Sequence, residues 1–176
     1  MLKLLGKDIY LAALEREDCK RLWRDTEYDF ANPCEELNIG LSEEAAQEWF
    51  ADIQKKQNKE NVRLGIFLLD GTPIGDVALQ DIDRTNRCCS VGMGFSRLEH
   101  RGKGYGGQAL RLMLEHGFCR MGLERITAAT LEHNIAAQRS LEKVGFLLEG
   151  RERKAVYLNG RRYDRLCYAL LKEEYR

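Results

Sequence analysis

Arg101-Gly102-Lys103-Gly104-Tyr105-Gly106-Gly107 is a segment with four glycines and two basic side chains. It follows a strand-like run and precedes a stretch whose apolar residues, from Leu110 to Gly117, recur at helical spacing. Glycines leave backbone N–H groups uncovered, and the start of a helix adds the positive end of its dipole. The segment therefore predicts a site for phosphate or pyrophosphate between a sheet and a helix. A flexible turn without a ligand is the alternative.

The rest of the chain predicts a mixed sheet with helices on its faces, an α/β fold in the mixed α+β sense. Only two prolines occur in 176 residues, and no linker or repeat is present, so we expect one domain over residues 1–176. Helices are predicted over 15–26, from Ser42 onward, over 104–119 and over 134–144. Strands are predicted over 9–14, 62–69, 73–80, 88–95, 125–131, 146–155 and 164–171.

Charge and composition exclude several classes of protein. The 28 Lys and Arg balance 28 Asp and Glu, so no overall field attracts nucleic acid or a membrane surface. No apolar run reaches the roughly 18–20 residues that a transmembrane helix needs. The six cysteines form no C-x-x-C pair, and only three histidines accompany them, so no metal site is expected. These features predict a reduced, cytoplasmic protein.

The glycines also satisfy a second pattern, G-x-G-x-x-G, through Gly102, Gly104 and Gly107. That pattern is typical of dinucleotide-binding folds, in which a later acidic residue binds the ribose, and Glu132 could occupy that place. In those folds the glycine turn follows the first strand, and strands then alternate with helices. Four strand-like segments precede the glycines in this chain, which disfavours the dinucleotide interpretation.

Two further motifs give the glycine segment a more specific interpretation. R-x-x-G-x-G, from Arg101 to Gly106, is followed after one predicted strand by N-I-A-A-Q-R-S-L-E-K-V-G-F, from Asn134 to Phe146. The pair resembles the acetyl-CoA pyrophosphate loop and the second helix of the GNAT superfamily of N-acetyltransferases. A late Asn159-Gly160 turn resembles the branch that contains ribosomal-protein alanine and spermidine N-acetyltransferases. The resemblance covers nearly the whole chain and is weakest over residues 24–57.

This resemblance implies a twisted, mostly antiparallel sheet that is splayed between its fourth strand, 88–95, and its fifth, 125–131. The pantetheine arm of acetyl-CoA would lie in the gap, where a backbone N–H of the fourth strand would stabilise the oxyanion. Asn134 would face the cofactor or the acceptor, although the same side chain could cap its helix. The residues implied in binding acetyl-CoA are Met93, Gly94, Phe95, Arg101, Gly102, Lys103, Gly104, Tyr105, Gly106, Gly107, Asn134 and Lys143.

The implied reaction is direct attack of an amine on the thioester while both substrates are bound. Many relatives carry a tyrosine acid just before the Glu-Lys of the second helix, but this chain has Leu141, so that role is not carried over. The amine must lose a proton, and the candidate bases are Glu99, His100 and His133, with Asn134 as a further catalytic candidate. Solvated loop charges are the alternative for Glu99 and His100.

The acceptor implied by the resemblance is the N-terminal amine of a protein or peptide. An acidic stretch over residues 25–36 would attract a cationic amine, so a polyamine or an amino-bearing antibiotic is the alternative acceptor. A non-catalytic acyl-CoA-binding module and a homodimeric assembly are further expectations. The side chains that make up the acidic stretch are Asp25, Glu27, Tyr28, Asp29, Glu35 and Glu36.

Overall fold

One eight-stranded sheet organises the computed structural model, which describes residues 2–34, 40 and 42–175. The strands lie in the order β1-β2-β3-β4-β5-β6-β8-β7, and β5 and β6 are the parallel neighbours in an otherwise antiparallel sheet. The strands are β1 (Lys3–Leu5), β2 (Ile9–Ala12), β3 (Val62–Leu68), β4 (Pro73–Asp83), β5 (Cys88–Phe95), β6 (Arg125–Leu131), β7 (Leu147–Leu158) and β8 (Arg161–Leu171). The helices are α1 (Arg16–Arg24), α2 (Glu43–Lys56), α3 (Tyr105–Glu115) and α4 (Ile135–Lys143).

The predicted mixed sheet with helices is confirmed, and so is its mostly antiparallel order. A 3₁₀ turn over Leu98–His100 precedes α3, and a π-helical turn over His116–Arg120 extends it, so the predicted helix over 104–119 is split in two. The short strand β1 was not predicted. The last two strands run further toward the Asn159-Gly160 turn than predicted, because charged residues hide the alternation that marks a half-buried strand.

Helices cover both faces of the sheet. Strand β2 shows this, because its successive side chains belong to two different apolar clusters. Ile9 and Leu11 join the larger apolar cluster, which includes the buried side chains of α3. Tyr10 and Ala12 join a second cluster that contains Cys19 and Leu22 of α1 and Ile53 of α2. Successive side chains of a strand point to opposite faces, so α3 and the pair α1–α2 pack on opposite sides of the sheet.

The junction between β5 and β6 is the irregular part of this sheet. Their parallel pairing covers only Cys88–Ser90 against Arg125–Thr127. Each strand stays paired on its outer side, β5 with β4 as far as Phe95 and β6 with β8 as far as Leu131. The two strands therefore diverge while the rest of the sheet remains continuous, and the splay that the resemblance implied is confirmed.

Gly75 of β4 allows the diverging half of β5 to stay in the sheet. It pairs with Phe95, and a Cβ built on Gly75 would overlap the backbone carbonyl oxygen of Gly94. Backbone atoms cannot move aside as a flexible side chain can. Any side chain at this position would push the end of β5 away from β4.

We expect Gly75→Ala to lower the free energy of unfolding by about 1–3 kcal/mol, because overpacking against backbone must be relieved by shifting a strand. Urea titration followed by circular dichroism measures the change. Gly150→Ala is the matched control, since a Cβ on this strand glycine meets no atom within 4 Å. Equal stability of the two variants would contradict the close approach of β4 and β5.

Candidate active site

A cleft of about 860 Å³ fills the space where β5 and β6 diverge. Val91–Phe95 form one wall and Ala128–Leu131 form the other. The start of α4, the end of β7 and Cys34 also line it. Arg101 and Gly102 lie at one end, so the cleft joins the glycine segment to the open edge of β5.

The backbone of β5 presents hydrogen-bonding groups to this cleft. The amide of Ser96 donates to the carbonyl of Ile74 on β4, whereas the carbonyl of Cys89 faces the Thr127 hydroxyl on β6. Because backbone groups alternate along a strand, Val91, Met93 and Phe95 direct their N–H and C=O toward the gap. Beyond Ser90 no strand pairs with that edge among the described residues. An extended, amide-containing ligand could complete the pairing.

The glycine segment forms a turn at the start of α3 whose groups suit an anion, and it is called here the anion-binding turn. Gly102 and Gly104 have left-handed φ angles of 75° and 83°, a conformation that glycine adopts without steric cost. In the described part of the chain, the amides from Gly102 to Gly107 have no hydrogen-bond acceptor. Uncovered amides beside a helix start and the cationic side chains of Arg101 and Lys103 fit a pyrophosphate.

Gly106 has a second role, since it lets α3 approach β5. A Cβ at this position would lie 2.8 Å from Cε of Met93. Gly107, one residue later, would place a Cβ in open space. The close contact keeps the anion-binding turn next to the strand that lines the cleft. Tyr105 is half-buried against the main apolar cluster, whereas Lys143 is exposed at the end of α4 and does not line the cleft.

Asn134 caps α4 and lines the cleft at the same time. Its Oδ1 accepts a hydrogen bond of 3.2 Å from the amide of Ala137, which is the N-cap geometry. The Nδ2 group has no partner among the residues that the structure describes and could donate to a ligand. Both sequence interpretations of Asn134 are therefore compatible with its position.

Helix α4 brings no titratable acid into the cleft. Leu141, at the position where many relatives have tyrosine, is buried and lines the cleft. Ser140 donates its hydroxyl to the carbonyl of Ala136 at 2.9 Å, a bond within the helix. No side chain of α4 that lines the cleft could therefore supply a proton to a leaving thiolate.

His133 holds a loop instead of facing the cleft. Its Nε2 lies 2.7 Å from the carbonyl oxygen of Pro33, and its ring packs on Tyr163 with centroids 4.5 Å apart. A carbonyl can only accept, so Nε2 carries the hydrogen. The Nδ1 atom is buried without a partner among described residues. The role of His133 as a base stays a prediction. The contact that the structure shows is the one to Pro33, which holds the segment leading to Cys34.

Glu99 and His100 lie away from the cleft. They line a separate hollow of about 110 Å³ with Asp25 and Arg97. The Glu99 carboxylate is 3.5 Å from Arg97, and burial lowers the pKa of His100. Neither side chain lines the cleft, so this geometry gives no support to the prediction that one of them is the base.

The described carboxylates of the acidic stretch bond to other groups of the protein. Asp25 pairs with Arg97 at 3.4 Å, and Glu27 accepts a hydrogen bond of 2.8 Å from the amide of Leu98. Asp29 accepts from Asn32, which lowers the pKa of that carboxyl. Within the described part of the stretch, no carboxylate lines the cleft. Glu35 and Glu36 lie outside the described residues.

Sequence reasoning missed part of the cleft wall. Cys34, Tyr157 and Arg165 line the cleft, as do the apolar neighbours of Tyr157 on β7. The Asn159-Gly160 turn predicted the hairpin of β7 and β8, but it carries no information on where that hairpin packs.

The described residues contain no group of three or more His, Cys, Asp or Glu that could hold a metal ion.

The family model described as "Acetyltransferase (GNAT) domain" matches residues 8–147 of this chain. That span contains the anion-binding turn, the diverging strands and the cap of α4.

The chain belongs to the GNAT acetyltransferase family.

Relatives and solved structures agree with this assignment. The probable N-acetyltransferase YjcK of Bacillus subtilis is 32% identical over 178 residues, covering 97% of this chain and 98% of that protein. The putative ribosomal N-acetyltransferase YdaF of the same organism is 32% identical over 109 residues, 62% of this chain and 59% of its own length. A spermidine N-acetyltransferase from Vibrio cholerae, solved with CoA and spermine, superposes with a TM-score of 0.81 at 22% identity, covering 97% and 99% of the two chains.

Family membership makes this protein an acetyl-CoA-dependent acetyltransferase. The features that fit acetyl-CoA are the uncovered amides at Gly102–Gly107, which suit its pyrophosphate, and the unpaired edge of β5, which suits its amide-containing arm. No helix in the described portion is long and apolar enough to span a membrane.

Removal of the Arg101 charge should weaken CoA binding. A hydrogen bond to a charged group contributes about 1.5–3 kcal/mol, so we expect Arg101→Gln to raise the Kd for CoA by about 10- to 100-fold. Isothermal titration calorimetry measures the constant. Lys59→Gln, at an exposed site outside the cleft, is the control. An unchanged Kd in Arg101→Gln would remove this arginine from the binding site.

His133 variants distinguish a base from a residue that positions the loop. His133→Gln keeps an N–H donor for Pro33, whereas His133→Ala removes it. If the loop contact is what matters, the alanine variant raises the acceptor KM about fivefold, the effect of losing roughly 1 kcal/mol, and glutamine restores it. Steady-state kinetics over pH 6–9 measure both. Equal loss of kcat in the two variants, with an altered pH profile, would instead identify a base.

Proposed function

We propose that this protein transfers the acetyl group of acetyl-CoA to the N-terminal α-amine of a protein or peptide, by direct attack in a ternary complex. The observation that carries the proposal is the charge of the cleft. Among described residues its lining includes Arg101 and Arg165 and no Asp, Glu, Lys or His. The described lining therefore offers neither a carboxylate for a polycation nor a His, Asp, Glu or Lys that could act as a base.

This charge pattern suits an α-amine because of its pKa. An α-amino group titrates near 7.7–8.0, so about 10–20% of it is already neutral at pH 7. An alkyl amine with a pKa near 10.4 is only about 0.04% neutral at that pH. An α-amine needs little help to lose its proton, and a water molecule can accept it. An alkyl amine would need a base that the described lining does not supply.

The chain's own groups would then act by binding and orientation. Bound acetyl-CoA supplies the activated thioester. The amides at Gly102–Gly107 hold its anionic end, and the edge of β5 from Val91 to Phe95 holds its arm. Val156 and Leu158 of β7 and Leu141 of α4 contribute apolar surface where the acceptor would enter. Fixing two reactants next to each other lowers the entropic part of the barrier, which is the main effect available here.

Spermidine is the second acceptor to consider, since a V. cholerae spermidine N-acetyltransferase shares the fold. A polyamine carries several charges that need anionic partners. Asp25, Glu27 and Asp29 were the sequence candidates for this role, and each is bonded to other protein groups. Their arrangement favours the peptide acceptor.

Acetylation of an acceptor panel, read by mass spectrometry, tests the proposal. We expect peptides with N-terminal Ala or Ser to be modified at the α-amine, and spermidine, spermine and aminoglycosides to remain largely unmodified. The peptide rate should rise with pH and level off above the α-amine pKa, near pH 8. The same peptide with a blocked N-terminus and an internal lysine is the control.

Modification of a polyamine or an aminoglycoside in preference to every peptide would overturn the choice of acceptor. Tight CoA binding without transfer to any amine in the panel would favour a non-catalytic acyl-CoA-binding protein.

A further inference from the structure

Four cationic side chains at the outer part of the β7–β8 hairpin form no ion pair among the described residues, although Arg153, after the Lys154 amide and Arg151, helps to lower the pKa of the Asp164 carboxyl. They are Arg153, Lys154, Arg161 and Arg162, called here the hairpin patch. All four are exposed, and none forms an ion pair within the described residues. The other two arginines of the hairpin differ, because Arg151 pairs with Glu132 and Asp164, and Arg165 pairs with Glu152 at 3.0 Å.

The hairpin patch is continuous with the cleft. The guanidinium of Arg162 lies 5.7 Å from the ring centroid of Tyr157, and Tyr157 lines the cleft. Arg162 also donates to the backbone carbonyl of Lys154 at 3.2 Å. Arg161 pairs in register with Leu158, another residue of the cleft wall. A chain leaving the cleft past Tyr157 would meet Arg162, while Arg161 lies beside Leu158 on the opposite face of the hairpin.

The charge is local, since the whole protein has a formal net charge of zero. The cleft lining adds Arg101 and Arg165, and it includes no described carboxylate. Clustered charges of one sign raise the local concentration of ligands of the opposite sign and repel ligands of their own sign. The cleft mouth is therefore suited to an anionic acceptor.

We propose that the hairpin patch selects acceptor peptides with acidic residues shortly after the N-terminal residue. The proposal rests on the proposed function, because it concerns the part of the peptide that would follow the reacting α-amine. An acidic peptide fits better than a nucleic acid. The patch is confined to one hairpin beside the cleft, and the rest of the chain supplies no net positive charge to hold a longer polyanion.

Matched peptides test this selection. All begin with the same two residues and differ in positions 3–8, which carry pairs of Asp, of Gln or of Lys. We expect kcat/KM for the Asp peptide to exceed that for the Lys peptide by about tenfold or more at low salt. The difference should shrink at 300 mM salt, since exposed charges are screened over a Debye length. Equal values for the Asp and Lys peptides at low salt would overturn the inference.

Reversing the charges of the hairpin patch tests whether these side chains cause the preference for the Asp peptide. The double variant Arg161→Glu/Arg162→Glu should lose the preference for the Asp peptide or turn it toward the Lys peptide. Lys55→Glu/Lys59→Glu, on exposed sites of α2 and just after it that do not line the cleft, is the matched control and should keep the preference. The shift in melting temperature on adding CoA verifies that each variant is folded. A preference that survives reversal of the patch would overturn the inference.

The outcomes separate the two proposals. If the peptides are acetylated at equal rates whatever their charge, the inference fails and the α-amine acceptor stands. If no peptide is acetylated, the proposed function fails and the inference fails with it. Inhibition by a single-stranded RNA oligonucleotide that the reversal abolishes, without any charge preference among peptides, overturns the inference in favour of a nucleic-acid surface.

Discussion

The early end of the pairing between β5 and β6 is the constraint on which the rest of the structure depends. Three residue pairs join these strands, and beyond Ser90 each keeps its outer neighbour only. A strand edge inside a fold must find other hydrogen-bond partners, because buried backbone groups without them are costly. The gap therefore stays open to a ligand or water, and the glycine turn, the cap of α4 and the end of β7 are all arranged around it.

The sequence predicted best the parts that depend on local pattern. The bounds of β5 and β6 follow from apolar runs, and the turn from Arg101 to Gly107 is recognisable because left-handed backbone favours glycine. The far wall of the cleft could not be predicted in this way. Tyr157 reaches the site only because a long hairpin returns beside β6, which is a tertiary contact without a local signal.

The charged residues were likewise visible in the sequence, but their bonding partners were not. The acidic side chains before α2 stood out in the sequence as an attraction for cations, yet the described ones are bonded to neighbouring amides and arginines. His133 is a similar case, since its ring donates to Pro33 instead of lining the cleft. Composition counts charges correctly, but it does not distinguish charges that form ion pairs within the fold from charges that form none among the described residues, such as Arg161 and Arg162.

The open edge of β5 also bears on how such a protein can change over generations. Hydrogen-bonding groups of the main chain are present whatever side chain a residue carries. If one substrate is held mainly by this edge and by the amides of the glycine turn, most substitutions on β7 and α4 leave its binding intact. The wall that meets the second substrate is then free to vary residue by residue. Single substitutions can then change which acceptor is preferred while binding of the acetyl donor is kept at every step.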